Sequence, residues 1–170
     1  MPRIAYLGPE GTFTEAALLR MVAQGMVPDD GASNFVPVPT ESTAAALAAV
    51  RSNGADYACV PIENSIEGSV LPTLDSLATG TRLQIFAELT LDVAFTIVVR
   101  PGTPAADVRT VAAFPVAAAQ VRHWLTAHLP EAQLVPANSN AAAAHDVANG
   151  RADAAVSTAL AAERYGLTVL

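Results

Sequence analysis

Short apolar runs recur along the chain, and segments with a helical period separate them. Runs of this length predict buried strands at 4–7, 35–38, 57–60, 110–114, 133–136 and 153–156. The intervening segments often begin with Ser, Thr or Pro and end at Gly, which predicts helices within 8–25, 40–54, 71–78, 115–128, 139–150 and 157–166. Repeated strand–helix units favour an α/β fold with largely parallel sheets.

The segment 82–99, RLQIFAELTLDVAFTIVV, departs from this rhythm. It is rich in β-branched residues and partly alternating, which predicts two strands or one bent strand. We interpret it as a crossover between two small α/β lobes with a central cleft. The first lobe is predicted to hold 1–78 and 158–170, and the second 79–157.

Composition narrows the class of protein. The 170 residues are 52% hydrophobic and 15% charged, with a net charge of −7. Basic residues form no block, and only three Tyr, five Phe and one Trp are present, which argues against nucleic-acid binding. No apolar run approaches the roughly 18 residues of a membrane helix, and the first residues do not form a signal peptide. We therefore expect a cytoplasmic protein without a membrane partner.

The sequence contains few residues that could form a disulfide or bind a metal ion. Cys59 is the only cysteine, so a disulfide framework is impossible and a thiolate metal site lacks partners. We expect a core thiol. The three histidines, His123, His128 and His145, have no metal-ligand spacing and are expected on helix surfaces.

The stretch YLGPEGTFT, residues 6–14, joins a predicted strand to a helix. Its glycines allow close approach of the backbone to a ligand, and a helix N-terminus favours an anion. Thr12 and Glu15 have the spacing of a capping box. Neither nucleotide-binding fingerprint is met. A capped turn without a ligand is the structural alternative.

The stretch VPIENSIEGSV, residues 60–70, is the second candidate. Pro61 ends a strand, and Glu63, Asn64 and Ser65 follow at its carboxyl end, where open α/β sheets bind ligands. Gly68 and Ser69 indicate another close backbone approach. The alternative is a loop whose side chains satisfy its own backbone.

The third candidate is Gln120, a polar residue in the small apolar segment FPVAAAQ (114–120). Helical spacing places it on a semi-buried face that could point into a cleft. A surface glutamine is the alternative.

Together, in this order, these stretches resemble the prephenate dehydratase family. Its glycine-proline turn is similar to YLGPEGTFT, its Pro-Ile-Glu-Asn motif is matched by 61–64, and its proline-to-glutamine helix start resembles 115–120. The closing AAVSTALAAERYGL (154–167) is also similar to the family's last strand and helix. The resemblance covers essentially the whole chain.

The resemblance implies conversion of prephenate to phenylpyruvate, with loss of water and carbon dioxide, in phenylalanine biosynthesis. It implies lobes similar to type II periplasmic binding proteins. It also implies Asn64 and Gln120 as catalytic residues and a substrate site lined by the glycine-proline turn, where we expect Gly11, Thr12 and Phe13 to bind substrate. From the polar stretch 60–70 we expect Ser65 and Ser69 to bind substrate as well. Aromatisation drives this reaction, so we expect no cofactor and no metal.

Glu63 has two interpretations. A carboxylic acid in a closing cleft can serve as general acid. An ionised carboxylate would repel an anionic substrate, and we therefore favour a structural brace that presents Asn64.

The sequence departs from the family's pattern in three places. Phe114 stands where a histidine is common, and Val116 where a glutamine is common, which puts a role for these positions in doubt. The family's Thr-Arg-Phe motif does not occur in the 170 residues.

A regulatory ACT domain does not occur in the sequence either. We therefore expect an incomplete catalytic domain that is inactive alone, with phenylalanine as effector only when an ACT domain is present. A homo-oligomer is expected for the full-length protein. The alternative function is a cytosolic two-lobe module that binds an anionic metabolite without catalysis.

Overall fold

The computed structural model describes residues 1–28 and 34–170. The chain folds into two compact units. The first contains Met1–Pro9 and Phe13–Leu91, and the second contains Glu10–Thr12 and Asp92–Leu170. Glu10–Thr12 thus belong to the second unit, although the segments directly before and after them belong to the first.

The first unit is built on a parallel three-stranded sheet with the order β2-β1-β3. Its strands and helices are β1 Arg3–Leu7, α1 Phe13–Ala23, β2 Val36–Thr40, α2 Thr43–Arg51, β3 Tyr57–Cys59 and α3 Leu71–Ala78. A separate two-stranded hairpin, β4 Glu63–Asn64 and β5 Gly68–Ser69, lies between β3 and α3.

Side-chain alternation along β1 places apolar residues on both faces of this sheet. Ile4 and Tyr6 pack with Leu18 of α1 on one side, while Ala5 packs with Ala46 of α2 on the other. Helix α2 begins where the sequence predicted, because the Ser42 hydroxyl accepts a hydrogen bond from the backbone N–H of Ala45. The sheet core therefore follows from the period-two pattern of one short strand.

The second unit has a five-stranded mixed sheet with the order β10-β6-β9-β7-β8. Its elements are β6 Thr96–Val99, β7 Thr110–Ala113, α4 Pro115–His128, β8 Gln133–Pro136, α5 Asn140–Ala148, β9 Ala154–Ser157, α6 Ala159–Arg164 and β10 Thr168–Val169. Strand β7 runs parallel to both β8 and β9, whereas β6 is antiparallel to both β9 and β10.

Helices cover both faces of the second sheet. One face packs Val111 and Val156 against residues of α4 such as Leu125. The other face is lined by alanines of the strands, which pack against the alanines of α5 and α6 and against Val147. Small side chains on both sides let these two helices lie close to the sheet.

A carboxylate joins two strands of this sheet. Asp153 Oδ2 accepts hydrogen bonds from the backbone N–H groups of Arg109 and Thr110 and from the Thr110 hydroxyl. Partial burial alone would raise the pKa of Asp153, but these hydrogen bonds hold it below its ordinary value. The start of β7 is thereby fixed to the start of β9.

Two sequence predictions are corrected by this architecture. Residues 158–170 were assigned to the first lobe, but they lie in the second unit because β10 pairs with β6 and α6 packs on the same sheet. The boundary between units falls at 91/92 and not at 78/79.

The third correction concerns 82–99. Only Thr96–Val99 forms a strand, while 82–95 has no regular secondary structure and pairs with none of the described strands. The mixed α/β class is confirmed. The cleft stays a prediction. None of the described helices is both long and apolar enough to cross a membrane.

Candidate active site

The glycine-proline turn begins in the first unit with Gly8. Its backbone N–H donates to the carbonyl of Thr40 at 2.9 Å, and the Gly8–Pro9 peptide bond is cis. A Cβ added at Gly8 would lie 2.8 Å from the Cβ of Pro39. Glycine is therefore required here by the close approach of the neighbouring strand β2.

Gly11 lies in the second unit and is buried. Its φ of +85° belongs to the left-handed region, and a Cβ there would lie 3.0 Å from both Cα and Cβ of Ala161 in α6. The Thr158 hydroxyl donates to the Gly11 carbonyl at 2.7 Å. The close approach predicted for a ligand is thus made, in this structure, to a helix of the protein itself.

Thr12 and Phe13 continue this turn into α1 and are both half-buried. Glu15, the acidic partner of the predicted capping box, is only 2% exposed. Thr12 belongs to the second unit and Phe13 to the first, so the predicted substrate-binding residues of this turn are divided between the units.

The stretch 62–70 is a hairpin, where the sequence predicted a loop. Glu63 pairs with Ser69 and Asn64 with Gly68, and the N–H of Val70 donates to the carbonyl of Ile62. The base of the hairpin is fixed to α3, because the buried Thr73 hydroxyl donates to the Pro61 carbonyl at 2.8 Å. Backbone pairing therefore sets the position of Asn64.

The side chain of Asn64 closes the hairpin turn. Its Oδ1 accepts from the backbone N–H groups of Ile66 and Glu67, at 2.9 and 3.1 Å. Backbone N–H groups only donate, so the oxygen of the amide must face the turn and the NH₂ group must face away from it. Because Asn64 is exposed, it presents two hydrogen-bond donors to whatever lies outside the hairpin.

The other polar residues of this hairpin, Glu63, Ser65 and Ser69, are exposed as well. Glu63 pairs with Ser69 through its backbone. Its carboxylate has no hydrogen-bond or ion-pair partner among residues 1–28 and 34–170. The side chain is therefore not what holds Asn64 in place.

Gln120 lies on the exposed surface of α4, in the second unit. The sequence placed it on a semi-buried face, and this is corrected: the buried positions of α4 are Ala117 and Leu125. Phe114, which replaces the family's common histidine, is the residue before the helix and is 37% exposed. The structure thus groups Asn64, Ser65 and Ser69 on one hairpin and places Gln120 on a helix of the other unit.

Two buried threonines were not identified as site residues from the sequence. Thr73 is 0% and Thr158 2% exposed, and each donates its hydroxyl to a backbone carbonyl within a candidate site segment. The sequence predicted a helix within 157–166, and Thr158 is the residue that caps α6 there. A long-range bond to Gly11 leaves no signal in local spacing.

Cys59 and the histidines take the positions that the sequence predicted. The Cys59 thiol packs beside the Ile4 and Tyr6 core, and burial raises its pKa to about 11. It therefore stays protonated at neutral pH. His123, His128 and His145 are exposed. Within the described part of the chain, no three His, Cys, Asp or Glu residues group as metal ligands.

Comparison with known proteins decides the family. A family model described as prephenate dehydratase matches residues 4–170. The chain belongs to the prephenate dehydratase family. The resemblance seen in the three sequence stretches is thereby confirmed for the whole domain, whereas the roles of single residues stay predictions.

Relatives within the prephenate dehydratase family are close. The chain is 73% identical to a prephenate dehydratase of Mycolicibacterium vanbaalenii and 75% identical to one of Mycolicibacterium smegmatis. It is covered completely in both matches and covers 56% and 55% of these relatives. A crystal structure of Arthrobacter aurescens prephenate dehydratase in complex with L-Phe is 40% identical, with a TM-score of 0.85. The match covers 99% of this chain and 53% of that one. The chain thus spans about half the length of these relatives.

Proposed function

We propose that the protein containing this chain is a prephenate dehydratase, which converts prephenate to phenylpyruvate with loss of water and carbon dioxide. The observation that carries the proposal is the family match over residues 4–170, supported by relatives of that name at 73–75% identity. Prephenate is the proposed substrate. No cofactor or metal enters the proposal, because aromatisation of the ring supplies the driving force.

Substrate binding is assigned to Gly11, Thr12, Phe13, Ser65 and Ser69. Prephenate carries two carboxylates, and hydroxyl or backbone N–H donors can bind them without a basic residue at each. The exposed hydroxyls of Ser65 and Ser69 on the hairpin supply such donors. The turn around Gly11 supplies backbone at the start of α1.

Catalysis is assigned to Asn64 and Gln120. The leaving hydroxyl must receive a hydrogen bond or a proton as the carbon–oxygen bond breaks. Asn64 suits the first of these tasks, since its Oδ1 is engaged by the turn and its NH₂ group faces outward. Gln120 is assigned from its motif position and is solvent-exposed in this structure. A site that excludes water would assist release of carbon dioxide.

The decisive experiment is phenylpyruvate formation from prephenate by the full protein, with Asn64→Asp as the first variant. The new carboxylate can still accept from Ile66 and Glu67, so the hairpin should persist, while the two donors are lost and a negative charge appears. We expect kcat/KM to fall by about 10²–10³, the loss typical of one catalytic hydrogen-bond donor.

Gln133→Glu is the matched control for Asn64→Asp. It makes the same amide-to-acid change on the exposed strand β8 and should leave turnover unchanged. Full turnover by Asn64→Asp would remove Asn64 from the mechanism. Absence of phenylpyruvate from the unaltered protein would contradict the proposed reaction and leave the binding module as the better interpretation.

The same assay separates the two roles of Glu63. Glu63→Gln keeps the backbone pairing with Ser69, so a brace should retain most activity, whereas a general acid would lose most of it. An inactive Glu63→Gln with an intact fold would make Glu63 the acid.

Regulation and assembly are proposed for the full protein only. We assign phenylalanine as effector through an ACT domain outside these 170 residues, and the complex of the Arthrobacter aurescens relative with L-Phe supports this. A homo-oligomer, a cytoplasmic location and a two-lobe plan similar to type II periplasmic binding proteins complete the proposal.

A further inference from the structure

The hydroxyl of Thr158 is one of the few buried polar groups of the second unit. It accepts a hydrogen bond from the backbone N–H of Ala161 at 2.9 Å, which caps α6, and donates to the Gly11 carbonyl at 2.7 Å. The residue is 2% exposed. One hydroxyl thus joins the start of a helix to a turn 147 residues earlier in the chain.

Further contacts from α6 and its C-cap reach the same turn. Ala161 lies against the α-carbon of Gly11, leaving no room for a side chain there. The Tyr165 hydroxyl donates to the carbonyl of Glu10 at 3.3 Å. Two successive carbonyls of the turn therefore receive donors from one short segment, 158–165.

Holding a carbonyl also fixes the next N–H. The peptide between Gly11 and Thr12 is planar, so its C=O and N–H point in opposite directions. The bond from Thr158 to the Gly11 carbonyl consequently sets the direction of the Thr12 N–H, at the entrance to α1. Without this bond, rotation of the peptide would redirect that N–H, since Gly11 tolerates many backbone conformations.

We propose that Thr158 is a positioning residue for prephenate binding: it holds the Gly11–Thr12 peptide in the orientation in which the turn receives the substrate. The inference rests on the proposed function, because it takes Gly11 and Thr12 as substrate-binding residues. Thr158 itself need not touch the substrate. Loss of its hydroxyl should therefore weaken substrate binding more than it slows the chemical step.

The test compares Thr158→Val with Thr158→Ser. Valine keeps the shape and removes the hydroxyl, while serine keeps the hydroxyl. In the 170-residue chain, valine should lower the backbone ¹⁵N order parameters of Gly11 and Thr12 from a rigid value of about 0.85 to below about 0.6. In the full protein, KM for prephenate should rise about tenfold, the cost of one lost hydrogen bond, with kcat within about twofold. Serine should restore both.

Two further variants serve as controls for the effect of Thr158→Val. Tyr165→Phe keeps the Thr158 cap of α6 and removes the hydroxyl that donates to Glu10, so it should change order parameters and KM in the same direction by less. Thr126→Val makes the matched change on the exposed surface of α4, where the hydroxyl donates to Arg122, and should change neither.

The outcomes separate this inference from the proposed function. Unchanged order parameters in Thr158→Val would overturn it, and so would a loosened turn with unchanged KM. An unaltered full protein that makes no phenylpyruvate would contradict the proposed function and with it the role in prephenate binding. The order parameters would still decide whether Thr158 holds the turn.

Discussion

At the scale of single residues, the two glycines of the 8–11 turn are required for reasons that their sequence motif does not state. Gly8 is constrained by the neighbouring Pro39, and Gly11 by Ala161 and by its positive φ. The motif indicated a backbone close to a ligand, whereas the structure shows a backbone close to other parts of the protein.

Gly11→Ala should destabilise the chain more than Gly102→Ala. Both glycines have nearly the same φ, +85° and +82°, so both substitutions incur backbone strain of about 1–3 kcal/mol. Only at Gly11 does the added Cβ also meet another chain segment, at 3.0 Å, which adds about 1–3 kcal/mol. Denaturant midpoints would measure the difference. Equal midpoints for the two variants would show that Ala161 yields easily.

A second residue-scale prediction concerns Asp56. Hydrogen bonds from the Arg3 side chain and backbone lower its pKa from 3.8 to about 2. A carboxyl with a depressed pKa in the folded state stabilises the fold above its unfolded pKa and loses this effect as pH falls through the folded value. Asp56 should therefore contribute stability above about pH 4 that disappears toward pH 2.

Urea unfolding of the unaltered chain and of Asp56→Asn would measure this contribution. The difference between them should be present at pH 5 and shrink toward pH 2. Because the ion pair is exposed, added salt should also reduce the difference. A difference that is independent of pH would mean that the substitution acts by another route.

At the scale of elements, the hairpin at 62–70 shows how a short polar stretch becomes a fixed structure. Strand pairing joins 63–64 to 68–69, and the Asn64 side chain closes the turn at the tip. The Thr73 hydroxyl fixes the base to α3. The sequence identified the stretch as polar and chemically interesting, but the pairing of 63–64 with 68–69 is too short to give an alternating pattern.

Thr73→Val should loosen the base of this hairpin. Valine fills the same space but leaves the Pro61 carbonyl without its donor, which costs about 1–3 kcal/mol of unfolding free energy. Thr73→Ser should recover most of the loss, and Thr126→Val on an exposed helix should stay within about 0.5 kcal/mol of the unaltered chain. A Thr73→Val variant as stable as the unaltered chain would show that the hydroxyl bond to Pro61 does not hold the base of the hairpin.

The helices were predicted well because their signals are local. Pro115 at the first position of α4, and the hydroxyls of Ser139 and Thr158 before α5 and α6, are visible in the sequence and lie where the helices begin.

Residues 82–95 do not form the strands that the sequence predicted, because strand formation depends on residues far away in the chain. Their apolar pattern suits a sheet, but a strand needs a partner, and no described strand pairs with them.

At the scale of the whole molecule, the chain supplies two α/β units, and the candidate residues are distributed over both. The Thr-Arg-Phe motif implied by the family resemblance is not among the 170 residues. We therefore expect this chain alone to form little or no phenylpyruvate and to show no response to phenylalanine. The comparison is with the full protein at equal concentration in the prephenate assay. Comparable turnover would show that residues 1–170 hold the complete catalytic set.

The sequence by itself determined the α/β class, most helix boundaries and the family, because periodicity, caps and short motifs depend only on residues that are close together in the sequence. Only the tertiary structure decided that 158–170 joins the second unit and that Thr158 holds Gly11. Each of these depends on a hydrogen bond or strand pairing between residues that are not adjacent in the chain. Such contacts form when the sheets assemble, and the local pattern of the sequence does not predict them.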